Sequence, residues 1–410
     1  MKRFQNNHND YLMNRVISAG DVLDLTKTAF RETESYLRCR CPSCSASSVS
    51  WSNSTPNYKC YGCGESGSVM DWLEYFPDSK RTAVDLLDTL NPSAMAADLY
   101  HRRIFGAKEA KKWWGVDRGL DPKTVRRFKL GWAPPNSKTL TGLLSASGLQ
   151  EFKNHGLVRE GENGFYDAFR NRIIFPIANR EGDIIGFSGR ILENGSGPKY
   201  VNTEQTERFN KGEELYALNL AADQIKSEKA VIVVEGYMDA IRAHEKGFTH
   251  TVAVMGTAFT EKHLETLSAM AASITLMMDG DKAGASAAIS TVERLAVFPS
   301  VHKLRFAACL EGEDPDSLLQ KRGVEEFKHC LSGAISPIEL ILRGKNFVYP
   351  ADTLSGQALR LTAISPLWES AGEEQRAIYA SCLARHLSMD KSLVTRLLAE
   401  SGAVNAPQAF

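Results

Sequence analysis

Cysteine is sparse in this sequence, with eight in 410 residues, and five of the eight fall between positions 39 and 63. That excludes the disulfide scaffold of small secreted domains and leaves a local metal site as the better reading of the cluster. No apolar run approaches the roughly 18 residues of a spanning helix, and Met1-Lys2-Arg3-Phe4-Gln5-Asn6-Asn7 leads into no apolar signal-peptide core. The expectation is a cytoplasmic protein with no membrane partner. Net charge is also missing, with 49 Lys+Arg against 49 Asp+Glu, and there is neither an internal repeat nor a low-complexity tract. A chain that is 43% hydrophobic and 24% charged is not disordered, and its length suggests two or three domains.

The neutral total hides two opposed segments. Between His101 and Trp132 ten Lys/Arg stand against Glu109, Asp117 and Asp121, whereas between Glu228 and Asp316 thirteen acidic residues outnumber eight basic ones. A basic surface that holds phosphates beside an acidic pocket that holds a cation is what a polyanion-handling metal enzyme needs. Charge runs are also ordinary solvated faces, so charge alone does not choose.

Cys41-Pro-Ser-Cys44 and Cys60-Tyr-Gly-Cys63-Gly64 are two C-x-x-C turns fifteen residues apart. Two such turns close a tetrahedral structural zinc site around Cys41, Cys44, Cys60 and Cys63; a redox pair or free buried thiols would not explain two matched pairs. Cys39 lies in a strand-like run and is left out of the set. Tyr36, Trp51, Tyr58 and Tyr61, with Arg38, Arg40 and Lys59, surround the turns. Rings and cations of this kind stack single-stranded bases and contact phosphates, and in so small a domain they serve equally well as its core. Ala46 to Tyr58, rich in Ser, Asn and Thr, reads as a spacer. An amphipathic stretch with Ala83, Val84, Leu86, Leu87 and Leu90 precedes a boundary near residue 95.

The basic stretch reads as helices stopped by Gly131-Trp132-Ala133-Pro134-Pro135, followed by a hairpin of Arg172–Ile177 and Asp183–Ser188. From Ala230 onward, β-branched runs alternate with helical patterns, which implies a parallel sheet buried on both faces. The strand-like runs are 231–234, 251–255, 274–278 and 303–309, and helices are expected at 238–246, from 260 and at 283–297. Beyond residue 334 the periodicity predicts helices at 337–342, 354–365, 373–387 and 390–399.

Glu235 ends the first of these strands with Asp239 in the next helical turn, Asp279 and Asp281 follow the third, and Asp314 and Asp316 follow the fourth. Ligands of open α/β sheets bind beyond the carboxyl ends of the strands, and hard oxygen donors suit Mg²⁺ or Mn²⁺. Each carboxylate by itself is as easily a helix cap or turn residue; the register of three clusters is the signal. Arg170, Arg172, Arg190, Lys199, Tyr200 and Lys211 recur on and after the hairpin. Arginine forks suit phosphates, and Arg172, Arg190 and Lys199 come first because they flank strand ends.

With these motifs in this order, joined by Arg-Asn-Arg-Ile-Ile-Phe-Pro-Ile, Ile-Gly-Phe-Ser-Gly-Arg, Pro-Lys-Tyr-Val-Asn, Val-Val-Glu-Gly-Tyr-Met-Asp, Met-Asp-Gly-Asp-Lys-Ala-Gly and Gly-Glu-Asp-Pro-Asp, the chain resembles the bacterial DnaG-type DNA primases. The resemblance runs from about Tyr36 to about residue 395. It implies an α/β and α+β multidomain chain: a small β-rich zinc-binding domain (1–95) and a basic N-terminal subdomain of the RNA polymerase domain (96–228), then a Toprim parallel α/β sheet (229–333) and a helical bundle with its tail (334–410). It further implies one structural Zn²⁺, and two or more Mg²⁺ or Mn²⁺ held with triphosphate by Glu235, Asp239, Asp279, Asp281, Asp314 and Asp316. Glu235, Asp279 and Asp281 are the expected catalytic residues. Template, primer or nucleotide would bind Arg170, Arg172, Arg190, Lys199, Tyr200, Asn202 and Lys211. Many relatives carry histidine where this chain has Cys44, and after the bundle there is no room for the usual helicase-binding domain. Contact with a replicative helicase or its loader is therefore not expected in the usual form, and a compact phage or plasmid enzyme fits.

The resulting expectation is an RNA primer made de novo from ribonucleoside triphosphates on single-stranded DNA. Glu235 would assist proton transfer or only hold metal. Two other classes stay open at this point: a Toprim nuclease or topoisomerase, for which the helical tail leaves little room for a tyrosine-bearing gate, and a non-catalytic recombination mediator that binds DNA without needing Asp279 and Asp281.

Overall fold

The cysteine-rich segment folds as an antiparallel meander: β1 (Phe30–Glu32), β2 (Tyr36–Cys39), β3 (Val49–Ser52), β4 (Asn57–Cys60) and β5 (Ser66–Ser68), in that spatial order. The computed structural model describes residues 19–33, 36–52, 57–79, 91–135, 138–142, 146–192, 197–206, 208–344 and 353–404; the amphipathic stretch at 83–90 lies outside them. The spacer expected over 46–58 is instead half strand. Val49, Trp51, Tyr58 and Cys60 alternate inward with polar residues between them, and that period of two outweighs the Ser/Asn/Thr content. Trp51, Tyr58 and Trp72 pack with ring centroids 5.0–5.2 Å apart, so these rings are core and not a stacking surface. Tyr61 is 71% exposed and Lys59 sits over its ring.

The basic stretch is helical, as its pattern predicts. Helix Pro92–Ile104 starts where Asn91 accepts the Ser93 N–H (2.9 Å) with proline in the first turn, and helices Lys108–Lys112 and Pro122–Arg127 flank a π-helical turn, Trp113–Asp117. Gly131–Ala133, read as a stop, is a strand (β6) that pairs antiparallel with Arg172–Ile174. Its partner lies forty residues away, and local sequence carries no mark of it. A hairpin of β7 (Val158–Gly161) and β8 (Gly164–Asp167) precedes β9 (Arg172–Ala178), β10 (Ile184–Ile191) and β11 (Tyr200–Asn202), and the sheet order is β11-β10-β9-β6.

The last sheet is the βα repeat: β12 (Ala230–Val234), β13 (Thr251–Ala253), β14 (Ser273–Met278) and β15 (Leu304–Ala308), ordered β13-β12-β14-β15 with every pair parallel. Helices Tyr237–Glu245, Glu261–Ser268 and Lys282–Leu295 cover it, and helices Pro337–Gly344, Leu354–Ser370, Glu373–Leu387 and Lys391–Val404 form the terminal bundle. One apolar cluster runs from the strands (Val231, Ile274, Leu276, Phe306) into the bundle (Ile341, Ile364, Leu367, Leu383, Leu398). The chain divides into two compact units, Met1–Ile177 with Asp183–Arg208, and Ala178–Gly182 with Phe209–Phe410. Among the described residues no helix is long and apolar enough to cross a membrane.

His263 opens helix Glu261–Ser268 as a neutral ring. Its Nδ1 accepts the Thr260 N–H (3.1 Å) and its Nε2 donates to the Glu214 carbonyl (3.2 Å), and burial lowers its pKa to about 4. Below pH 6.5 the unfolded chain takes up this proton first, so the stabilisation is lost as pH falls from 6.5 through 4, by about 3 kcal/mol at most. His263→Gln is expected to flatten the pH dependence of the melting temperature over that interval; parallel curves for the two proteins would rule the linkage out.

Candidate metal centres and nucleic-acid-binding face

The two cysteine turns converge. The Sγ atoms of Cys41, Cys44, Cys60 and Cys63 all lie within 4.8 Å of one another, with Cys41–Cys63 at 3.9 Å and Cys44–Cys60 at 3.7 Å. Thiolates at the 2.3 Å zinc distance on a tetrahedron stand about 3.8 Å apart, which these two pairs match, so the set fits the metal. The Ser48 hydroxyl (3.4 Å), followed by backbone N–H groups of Cys63 and Gly62, lowers the Cys60 thiol to about 6, whereas burial raises Cys41 and, against the pull of the Glu65 backbone N–H, the Cys60 side chain raises Cys63, so a bound cation is what would let all four be thiolates. Cys39 is outside this group, and burial pushes its thiol up to about 11.

In the second unit, Glu235 and Asp279 follow the adjacent strands β12 and β14. Glu235 Oε1 and Asp279 Oδ1 are both buried without a hydrogen-bond partner. Burial first, then the neighbouring charges of Glu235, Asp314 and Asp281, raises the Asp279 carboxyl to about 6; burial likewise raises Glu235, against the pull of the Asp279 backbone N–H. A buried anion left without a partner is costly, and a cation removes that cost. The loop carrying Asp279 is held close to the one after β15: the Gly280 N–H donates to the Glu313 carbonyl and the Gly312 N–H to the Gly280 carbonyl, each at 2.9 Å. A Cβ at Gly280 would lie 1.8 Å from the Leu310 carbonyl oxygen, so only glycine permits this approach.

The six carboxylates are not equivalent. Asp281 and Asp314 are exposed N-caps that accept the Gly284 and Ser317 N–H groups, each at 2.7 Å. Asp239 is buried and accepts the N–H groups of Gly236 (2.9 Å) and Asp316 (3.1 Å). Asp316 is buried against Arg242 Nε (2.9 Å), which also pairs with Glu245. Sequence reading missed Arg242; the available signal was a cation one helical turn after Asp239, but such an arginine is usually on the surface. Among the described residues no three carboxylates gather their oxygens within 4.8 Å as the cysteines do.

The predicted basic set separates between and within the units. Arg190 and Tyr200 are directly opposed across β10 and β11, as are Ser188 and Asn202, so by the period of two all four point to one face of the sheet. Arg190 lies over the Tyr200 ring, with Nη1 donating to its hydroxyl (3.2 Å). Arg172 takes the other face. It is buried, donates to the carbonyls of Gly189 (2.9 Å) and Pro198 (3.0 Å), and occupies the space a side chain at Gly189 would fill. It ties β9 to the β10–β11 connection instead of standing with Arg190. Lys199 and Arg170 are exposed, Arg170 over the Tyr166 ring, and Lys211, in the second unit, is partly buried.

Residues 99–222 match the family model for the N-terminal domain of the DNA primase catalytic core, and residues 229–307 match the Toprim domain. A DNA primase of Clostridium acetobutylicum is 31% identical over 359 residues, covering 80% of this chain and 59% of its own length, and one of Pseudomonas putida is 31% identical over 97% of this chain and 65% of its own. The chain thus spans under two thirds of these relatives. A DNA primase domain from Pseudomonas aeruginosa superposes with a TM-score of 0.67 at 32% identity, over 75% of this chain and 98% of that one. A DnaG primase catalytic domain bound to ssDNA gives 0.67 at 30%, over 74% and 96%. The zinc-binding and RNA polymerase domains of the Aquifex aeolicus primase give 0.65 at 25%, over 94% and 98%.

Proposed function

The chain belongs to the DnaG-type DNA primase family, and from that premise we propose that it makes short RNA primers de novo on single-stranded DNA during replication, joining ribonucleoside triphosphates by nucleotidyl transfer. The observation that carries this reading is the pair of buried, unpartnered carboxylate oxygens on Glu235 and Asp279 at neighbouring parallel strand ends. Two or more Mg²⁺ or Mn²⁺ bound there would neutralise triphosphate charge. Glu235, Asp279, Asp281 and Asp314 would hold the cations, while Asp239 and Asp316, tied to each other and to Arg242, fix the helix starts that carry the site. The face bearing Arg190, Tyr200 and Asn202 would take the template or nucleotide, with Lys199 and Arg170 as further cations; Lys211 would serve as a template- or nucleotide-binding cation of the second unit, and Arg172 would act by bracing that sheet. The neighbour whose structure holds ssDNA supports the template assignment. The zinc-binding region, within 1–95, would select the initiation site; 96–228, 229–333 and 334–410 would form the basic subdomain, the Toprim sheet and the bundle of the polymerase.

The test is synthesis on a mixed-sequence single-stranded DNA with four ribonucleotides and either cation. Short RNA with a 5′-triphosphate is expected. DNA cleavage or relaxation, with no RNA on any template, would replace this reading with the nuclease or topoisomerase one.

A further inference from the structure

Glu235 and Asp314 are carried by strands that do not touch. The order β13-β12-β14-β15 puts β14 between the strand that ends at Glu235 and the strand that leads to Asp314, two strand spacings or roughly 10 Å apart. Asp314 also stands well past the end of β15 at Ala308, so the pairing of the strands relates these two carboxylates only through β14 and a loop.

The direct link is between the helices that begin there. Helix Tyr237–Glu245 follows Glu235, and helix Pro315–Lys321 follows Asp314, its N-cap. Asp239, in the first turn of one, accepts from Oδ1 the N–H of Asp316 in the first turn of the other (3.1 Å), and its Oδ2 accepts the Gly236 N–H (2.9 Å). Arg242 closes the link. Its Nε donates to Asp316 Oδ1 (2.9 Å) and its Nη1 to Glu245. A continuous chain of contacts therefore runs from Gly236, beside Glu235, through Asp239 and Asp316 to the helix that Asp314 caps.

This chain is buried, with Arg242 2% and Asp316 4% exposed, so Arg242 is no surface charge. A buried ion pair adds little stability over apolar residues of the same volume, because desolvation offsets the attraction. What a guanidinium adds is direction: its planar fork fixes the carboxylates it meets in angle as well as distance, which a flexible ammonium does not. Arg242 lies beyond the end of Val-Val-Glu-Gly-Tyr-Met-Asp, outside the motifs that carry the family likeness.

We propose that Arg242 is a positioning residue for nucleotidyl transfer: by holding Asp316, and through it the starts of both helices, it sets Glu235 and Asp314 relative to each other, and Asp316 is its anchor instead of a cation ligand. The inference rests on the reading of Glu235, Asp279, Asp281 and Asp314 as the carboxylates that hold the cations.

Mn²⁺ binding to the full chain, followed by electron paramagnetic resonance without DNA or nucleotide, tests it beside primer synthesis. If the wild type binds no Mn²⁺, the cation reading fails before Arg242 is at issue. Arg242→Lys keeps the charge and leaves the Asp316 carboxylate in place. It is expected to weaken Mn²⁺ binding roughly 10-fold and to lower kcat roughly 10- to 100-fold at saturating Mn²⁺ with little change in the KM for ribonucleotide, the usual cost of losing a group that orients ligands. Arg242→Met/Asp316→Asn removes the pair at constant net charge and similar volume, so it should melt within a few degrees of the wild type and still show both losses. Should Arg242→Lys fail to fold, this neutral pair decides alone. Wild-type Mn²⁺ affinity and kcat in either folded variant overturn the proposal and leave Arg242 a structural ion pair. Tighter Mn²⁺ binding by Arg242→Lys also overturns it, since Asp316 would then be a cation ligand that Arg242 withholds.

Discussion

Asp279→Ala/Asp281→Ala is expected to lose primer synthesis by at least about 10³-fold while binding oligo(dT) as the wild type does, since the lost interactions serve the transition state and not the template backbone. The two effects separate because these carboxylates lie at the ends of β14 and its following helix, whereas Arg190 and Tyr200 lie on β10 and β11. Asp279→Asn sharpens the test. Its Oδ1 is buried without a partner and the carboxyl is raised to about 6, so in metal-free protein at neutral pH the ionised group opposes folding. A raised carboxylate pKa destabilises above the folded value, and the cost is lost as pH falls towards the unfolded value. Neutralising it should raise the melting temperature of the metal-free protein by a few degrees, equivalent to about 1–2 kcal/mol after allowing for its partial exposure, while synthesis is lost. A variant that is inactive and also less stable would mean that Asp279 acts as a structural residue.

Chelation of zinc is expected to unfold the segment 19–79 alone. Its apolar core consists of thirteen buried residues, Cys41 and Cys60 among them, so two of the ligands are themselves core. A domain this small buries too little apolar surface to stand without a staple, and metal binding to four thiolates is worth about 10–16 kcal/mol of apparent folding free energy at neutral pH. Near-UV dichroism from Trp51 and Trp72 should collapse with a strong chelator, and trypsin should then cut at Arg38, Arg40 and Lys59. The melting of the unit containing the parallel sheet should not move. Retention of the tryptophan signal in chelated, demonstrably zinc-free protein would show that the core suffices alone. Cys44→Ala should reproduce the chelated state, because Cys44, like Cys63, is an exposed ligand and contributes little to the core.

The features legible in the sequence share one property: each is set by spacing within about twenty residues. The two C-x-x-C turns, the alternation of β-branched runs with helical patterns, and the acids that end those runs are of this kind, and the four thiols, the parallel sheet and the three acidic clusters are where that spacing places them. Helix Glu373–Leu387 matches its expected bounds, and Leu354–Ser370 runs five residues further because Ile364, Leu367 and Trp368 continue its buried face. The family likeness rests on the same local motifs.

Tertiary structure decided matters of direction and availability. Arg172 and Arg190 look alike as strand-end cations, yet the register of β10 with β11 and the space at Gly189 put them on opposite faces of one sheet. Asp239 and Asp279 look alike as acids after a strand, yet one is taken up by two backbone N–H groups and the other keeps an unpartnered oxygen. Gly131–Ala133 became a strand only because β9 offers it a free edge. The amino-acid sequence by itself determines which chemistries can be present, since residue type and near-neighbour spacing set ligand identity and turn geometry. Which face each side chain takes, and whether its polar atoms are already paired, depends on pairings between segments far apart in the chain, and these exist only once the backbone hydrogen bonds of the sheets are made.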